Sequence, residues 1–189
     1  MNQSINNTSE EKEVNGNGKV FYAEASYSQE EIDAVREVLQ TQRLSLMAGP
    51  KVNELEKKIA KIFNKKYGLM VNSGSSANLL GILSLNLKPG SKVITPSLTF
   101  STTVSPIVQS GLIPYFIDVE RETLQINTKR LKEIDLKNVS AICVPNLVGN
   151  IANWKEIYSF SKENNLKIIE DSADTIGYSY ETSLKNWSD

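Results

Sequence analysis

The chain has 189 residues, 40% of them hydrophobic, with 21 basic and 22 acidic side chains, one cysteine and no histidine. A formal net charge of −1 excludes the basic footprint of a general nucleic-acid binder. The single thiol excludes a disulfide framework or a cysteine-rich metal site, and the lack of imidazole excludes Ser–His catalysis and His-ligated zinc within these residues.

In chain order, residues 1–18 are rich in Asn, Ser, Glu and Gly and too poor in aliphatics to offset their ordering entropy, so they read as a disordered polar tail. The tail lacks the apolar core of a signal peptide, and no run approaches the ~18 apolar residues of a membrane span. The expectation is a cytoplasmic protein without a membrane partner. Residues 19–189 read as one continuous globular unit.

Ser28 followed by Glu31 is a capping-box signal, and Ile32, Val35, Val38 and Leu39 recur at helical spacing after it. Gly49-Pro50 marks a turn. The stretch KVNELEKKIAKIFN then places Val52, Leu55, Ile59, Ile62 and Phe63 on one face of a second helix. Beyond it the period changes. YGLMV, residues 67–71, predicts a short buried strand, and SSANLLGILSLNL a helix. KVITPS, IPYFIDVE, SAICVPN and LKIIEDS predict further strands, with helices at STTVSPIVQSG and NWKEIYSFSKENN between them. Such alternation predicts an α/β protein of three layers, α/β/α, around a mostly parallel sheet. Ligands of such sheets bind beyond the carboxyl ends of the strands.

Three strand ends carry residues suited to chemistry. Asn72-Ser73-Gly74-Ser75-Ser76 leads into a helix, where small residues, hydroxyls and free N–H groups suit a phosphate; an ordinary capped helix fits as well. It is not a Walker A loop, since no Gly-Lys-Ser/Thr follows. Phe100 stands in the polar run SLTFSTTVS, either as a core residue or as a ring seeking a flat partner such as a planar cofactor. Glu170 and Asp171 close a strand, with Asp174 three residues on. A carboxylate there could pair with a protonated ring nitrogen, cap the following turn, or bind Mg²⁺ through water.

In this order and spacing, residues 28–180 resemble the N-terminal half of the DegT/DnrJ/EryC1/StrS family. The resemblance lies in SQEEIDAVREVLQ, Gly49-Pro50-Lys51, VNSGSSANLL, TFSTTVSPIVQSGLIPYFIDVE, LVGN and IIEDSADTIG. The family comprises aspartate-aminotransferase-fold (fold type I) enzymes that use pyridoxal 5′-phosphate (PLP), or its amine form PMP, on nucleotide-linked sugars. The resemblance implies that Gly74, Ser75 and Ser76 hold the cofactor phosphate and that Phe100 stacks on the ring. It also implies that Asp171 pairs with the pyridine nitrogen, that Asp174 lies near the 3′ oxygen, and that Asn150 meets the substrate. A protonated pyridine is the better electron sink.

The family's Schiff-base lysine is expected beyond Asp189. Lys185 matches neither its context nor its spacing and reads as a surface loop residue, so no catalytic residue is expected in this chain. The chain reads as the N-terminal part of a large domain, with no metal site. The implied partners are a nucleotide sugar, an amino donor such as glutamate, and a second copy in a homodimer. An isolated half would expose those surfaces and dissolve poorly. Transamination of a keto sugar in the synthesis of cell-surface polysaccharide, such as lipopolysaccharide, is the first reading. The second is PMP-dependent 3-dehydration of a 4-keto-6-deoxy sugar nucleotide, a branch that has Asp where aminotransferases have Gln at position 174, and a histidine for the lysine. Asn146 stands where many relatives have histidine, and Cys143 reads as core. From other classes come a fold relic or regulatory binding protein, and a Mg²⁺ protein using Glu170 and Asp171.

Overall fold

The computed structural model describes residues 25–176; the tail 1–18 and Lys185 lie outside the described residues. Two compact units meet at Gly49 and Pro50 in the sequence. The first carries helix α1, Gln29–Thr41. Its capping box forms as expected: Ser28 Oγ accepts from the Glu30 amide, and the Ser28 amide donates to Glu31 Oε2 at 2.6 Å. The helix buries none of its residues. At the end of this unit, a Cβ on Gly49 would collide with the Ser45 carbonyl, so the turn admits only glycine there.

The second unit holds α2 (Pro50–Ile62), α3 (Gly74–Ser84), β1 (Lys92–Pro96), α4 (Ser101–Gln109), β2 (Ile113–Ile117), β3 (Val139–Pro145), α5 (Trp154–Glu163) and β4 (Lys167–Asp171). Short 3-10 turns span Thr128–Glu133 and Leu147–Gly149. Pro50 opens α2, where its missing N–H costs nothing. Asn153 caps α5 by accepting from the Glu156 amide. The four strands pair in parallel in the order β2-β1-β3-β4.

Alternation along the central strands builds two cores from one sheet. Val93, Ala141 and Cys143 pack on one face with Ile82 of α3 and Ile107 of α4. Ile94, Ile142 and Val144 pack on the other with Leu131 and with Trp154 and Ile157 of α5. Neighbouring residues thus serve opposite layers, as a parallel sheet covered on both sides requires.

One expected strand is not formed. Residues 67–71 have no regular secondary structure and pair with no strand among the described residues. Leu69 is 76% exposed and Met70 50%, and the Met70 amide donates instead to Glu56 Oε1 of α2 at 2.8 Å. An apolar run becomes a strand only when a neighbour takes its backbone groups. Gly68 is required here because a Cβ would strike the Glu56 carbonyl. No helix among the described residues is long and apolar enough to cross a membrane.

Ile142 is fully buried at the sheet centre. Replacing it with alanine will cost about 2–5 kcal/mol. Urea unfolding should show this as a lower midpoint at an unchanged slope.

Candidate active site

Parallel strands deliver their carboxyl ends to one edge of the sheet, and Phe100, Asn150, Asp171 and Asp174 follow those ends, while Gly74–Ser76 follow the unpaired run 67–71. At the start of α3, Ser73 is the cap, its Oγ accepting from the Ser76 amide at 3.2 Å. The Ser76 hydroxyl is 3.2 Å from that same Oγ. The amides of Gly74 and Ser75, first in the helix, have no partner within it. A Cβ built on Gly74 would meet nothing within 4 Å. Gly74 lines a cavity of about 540 Å³ together with Asn78, Asp171, Ser172 and Ala173. Ser75, Ser76, Phe100, Asn150 and Asp174 are not among the residues of that wall.

Asp171 ends β4, half-buried. Its Oδ2 accepts from Asn78 Nδ2 at 2.9 Å and from Thr103 Oγ1 at 3.4 Å, and its Oδ1 accepts from the Ala173 amide at 3.2 Å. Every one of these donors is neutral. Among the described residues no lysine or arginine forms an ion pair with it; the pairs present, Arg36–Asp33, Lys58–Glu54 and Arg130–Glu133, join exposed neighbours three or four residues apart. The carboxylate therefore keeps its charge available to a cation entering the cavity.

Glu170 precedes Asp171 in β4 and lines the same cavity, with different hydrogen-bond partners. Its Oε1 accepts from Asn146 Nδ2 at 2.9 Å and Ser172 Oγ at 2.7 Å. No group of three His, Cys, Asp or Glu among the described residues could hold a metal ion. Cys143 is a core residue, as its sequence context predicts. Burial, and secondarily the charge of Asp171, push its thiol up to about 12.

Asn146, at 2% exposure, joins the ends of β3 and β4. Its amide N–H donates to the Asp171 carbonyl at 3.0 Å. Its Oδ1 accepts from Trp154 Nε1 at 2.8 Å and the Ala152 amide at 3.1 Å, while Nδ2 also reaches Ser172 Oγ and Thr175 Oγ1. The turn that follows holds Val148 at φ 53° and Gly149 at φ 79°. That left-handed conformation is costly for a β-branched residue. Side chains secure it from several sides. Asp174 Oδ2 accepts from the Val148 amide at 3.0 Å, and Gln125 Nε2 donates to the Leu147 carbonyl at 3.0 Å. Asn150 Nδ2 donates to the Thr123 carbonyl at 2.9 Å. Asp174 and Asn150 thus share one strained turn.

Phe100 is 67% exposed, which overturns its reading as a core residue. It stands at the cap of α4 in extended conformation, and beside it the Thr99 hydroxyl is buried without a partner. Asn78, Thr103 and Gln125 carry no signal in the sequence, and Asn146 is marked there only by standing where many relatives have histidine. Their partners lie as far as 93 residues away.

Two outcomes follow from burial. Cys143 will resist thiol reagents at pH 8 in the folded protein and react on unfolding, because the buried thiol stays protonated below about 12. Asn146→Leu removes the buried acceptor of the Trp154 indole N–H and the Ala152 amide. It should destabilise the fold by at least ~2 kcal/mol, measurable by thermal melting.

The sequence profile of the DegT/DnrJ/EryC1/StrS aminotransferase family matches residues 25–185. The chain is 36% identical over 163 residues to dTDP-4-dehydro-2,6-dideoxy-D-glucose 3-dehydratase of Saccharopolyspora spinosa, covering 82% of this chain and 35% of that protein. It is 29% identical over 158 residues to 3-oxo-glucose-6-phosphate:glutamate aminotransferase of Bacillus subtilis strain 168, covering 84% and 35%. Among solved structures, E. coli GDP-4-keto-6-deoxy-D-mannose-3-dehydratase with bound hydrated PLP matches with a TM-score of 0.78 at 34% identity, covering 85% of this chain and 42% of that one. The chain spans only 35–42% of the length of these relatives. By sequence and by fold, this chain belongs to the DegT/DnrJ/EryC1/StrS aminotransferase family.

Proposed function

We propose that this chain forms the cofactor-holding wall of a PLP- or PMP-dependent enzyme acting on a nucleotide-linked keto sugar. The observation that carries this reading is Asp171: a carboxylate on a cavity wall, held by neutral donors alone, in the same cavity as the first residue of α3. Such a pairing suits a ligand that is anionic at one end and a protonated ring nitrogen at the other. The open space beside Gly74 and the exposed ring of Phe100 fit the same group.

When bound, the cofactor supplies an electron sink for the substrate carbon. The protein's own residues do the rest. The Gly74 and Ser75 amides and the Ser75 and Ser76 hydroxyls bind the phosphate. Phe100 covers a face of the ring, and Asp171 keeps the proton on the pyridine nitrogen. Asp174 would approach the 3′ oxygen and Asn150 the substrate. A homodimer, glutamate as amino donor and a role in cell-surface polysaccharide synthesis complete the reading.

Two reactions have equal support. Transamination of the keto sugar rests on the family and on the aminotransferase relative. 3-Dehydration rests on the relatives that bear that name at 36% and 34% identity, and on aspartate at position 174.

Titration of the 189-residue chain with PMP, followed by cofactor fluorescence, tests the cofactor reading. Saturable binding is expected, weakened about tenfold or more in Asp171→Ala through loss of a charge-assisted bond. A chain that does not bind PMP would remove the proposal. In a longer protein that carries the expected lysine or histidine, incubation with PMP and a nucleotide-linked 4-keto-6-deoxy sugar then separates the reactions by product mass, an amino group gained against an oxygen lost. Bound cofactor without product in that longer protein favours the relic.

A further inference from the structure

Asn78 lies about one turn into α3, half-buried, on the wall of the cavity. Both of its amide hydrogens have acceptors on other elements: the Thr102 carbonyl of α4 at 3.3 Å and Asp171 Oδ2 at the end of β4 at 2.9 Å. The Thr102 carbonyl is a particular acceptor. Four residues on, α4 has Pro106, which has no N–H to donate back to it. The Asn78 amide supplies a donor where the helix cannot.

With Thr102 as anchor, the second hydrogen is aimed at Asp171. The carboxylate is then fixed at both oxygens, Oδ2 by Asn78 and Thr103, Oδ1 by the Ala173 amide. One side chain ties together the segments that carry Gly74–Ser76, Phe100 and Asp171. We propose that Asn78 is a positioning residue of the cofactor site, which sets the plane of the Asp171 carboxylate toward the cofactor's ring nitrogen and registers α3 against it. This rests on the cofactor reading above and assigns Asn78 a role through Asp171, not by contact with the reacting atoms.

The test compares the unaltered chain, Asn78→Ala, Asp171→Ala and the double variant. Two quantities are read: PMP affinity by fluorescence, and the pH midpoint of pyridine-nitrogen ionisation in the bound cofactor by absorbance. Thermal melting reports folding. Asn78→Ala is expected to weaken PMP binding about tenfold and to lower the midpoint by about one unit, as a misaligned carboxylate stabilises the protonated ring less. In the Asp171→Ala background the same substitution should change neither, because the residue through which Asn78 acts is gone. Unchanged affinity and midpoint in Asn78→Ala would overturn the role, as would equal penalties with and without Asp171. If the alanine variant does not fold, Asn78→Leu keeps the bulk while losing the donors and adds no charge beside Asp171, and it is read in the same way. Failure of both to fold makes Asn78 a structural residue and ends the proposal. No PMP binding by the unaltered chain would instead defeat the cofactor reading, and this role with it.

Discussion

A parallel sheet has to be covered on both faces, and in β1 and β3 each step along the strand changes which layer a side chain serves. Val93, Ala141 and Cys143 look toward α3 and α4, while Ile94, Ile142 and Val144 look toward α5. That alternation fixes the register of the interior strands. Through them it fixes where the strands stop. Pro145 pairs with Asp171 at the last rung of the ladder between β3 and β4, so the packing of the core determines the position of the carboxylate at the cavity wall. The chemistry at the edge is only as well placed as the apolar contacts behind it.

The site in turn is built of polar clasps rather than charge pairs. Asn146 satisfies the end of β3, the turn after β4 and the indole of Trp154 with one buried amide. Asn78 does comparable work between α3, α4 and β4. Neutral amides can lock geometry without neutralising a carboxylate, whereas a lysine or arginine in either place would compete with a cationic ligand for Asp171. The strain of Val148 belongs to the same design, held in its left-handed conformation by bonds that reach back from Asp174, across from Gln125 and along from Asn150.

Much of this was legible in the sequence, and the division between what was and was not has a physical cause. Local signals told true: the Ser28–Glu31 box, the Gly49 turn, the cap of α5 and the strand–helix alternation all depend on residues within a few positions of one another. That Asp171 closes a strand was also readable, and the structure puts it on one cavity wall with Gly74. YGLMV misled because its apolar composition meets a strand's needs while the backbone partner does not come from nearby sequence. Asn78 was silent, and the clasp made by Asn146 unreadable, for the same reason. An asparagine inside an apolar stretch looks like a weak helix former or a strand end until its distant acceptors are known. Phe100 was ambiguous by composition alone, and its exposure removes the core alternative.

The unpaired run at 67–71 has a colloidal consequence. Its exposed Tyr67, Leu69 and Met70 add apolar surface, and among the described residues β2 and β4 are the outer strands of the sheet, with Ile113 and Phe116 of β2 half exposed. The unpaired backbone of an outer strand is a template that accepts another extended chain, including another copy of itself. Concentration therefore acts on this chain first at those edges, where a new neighbour finds strands already ordered.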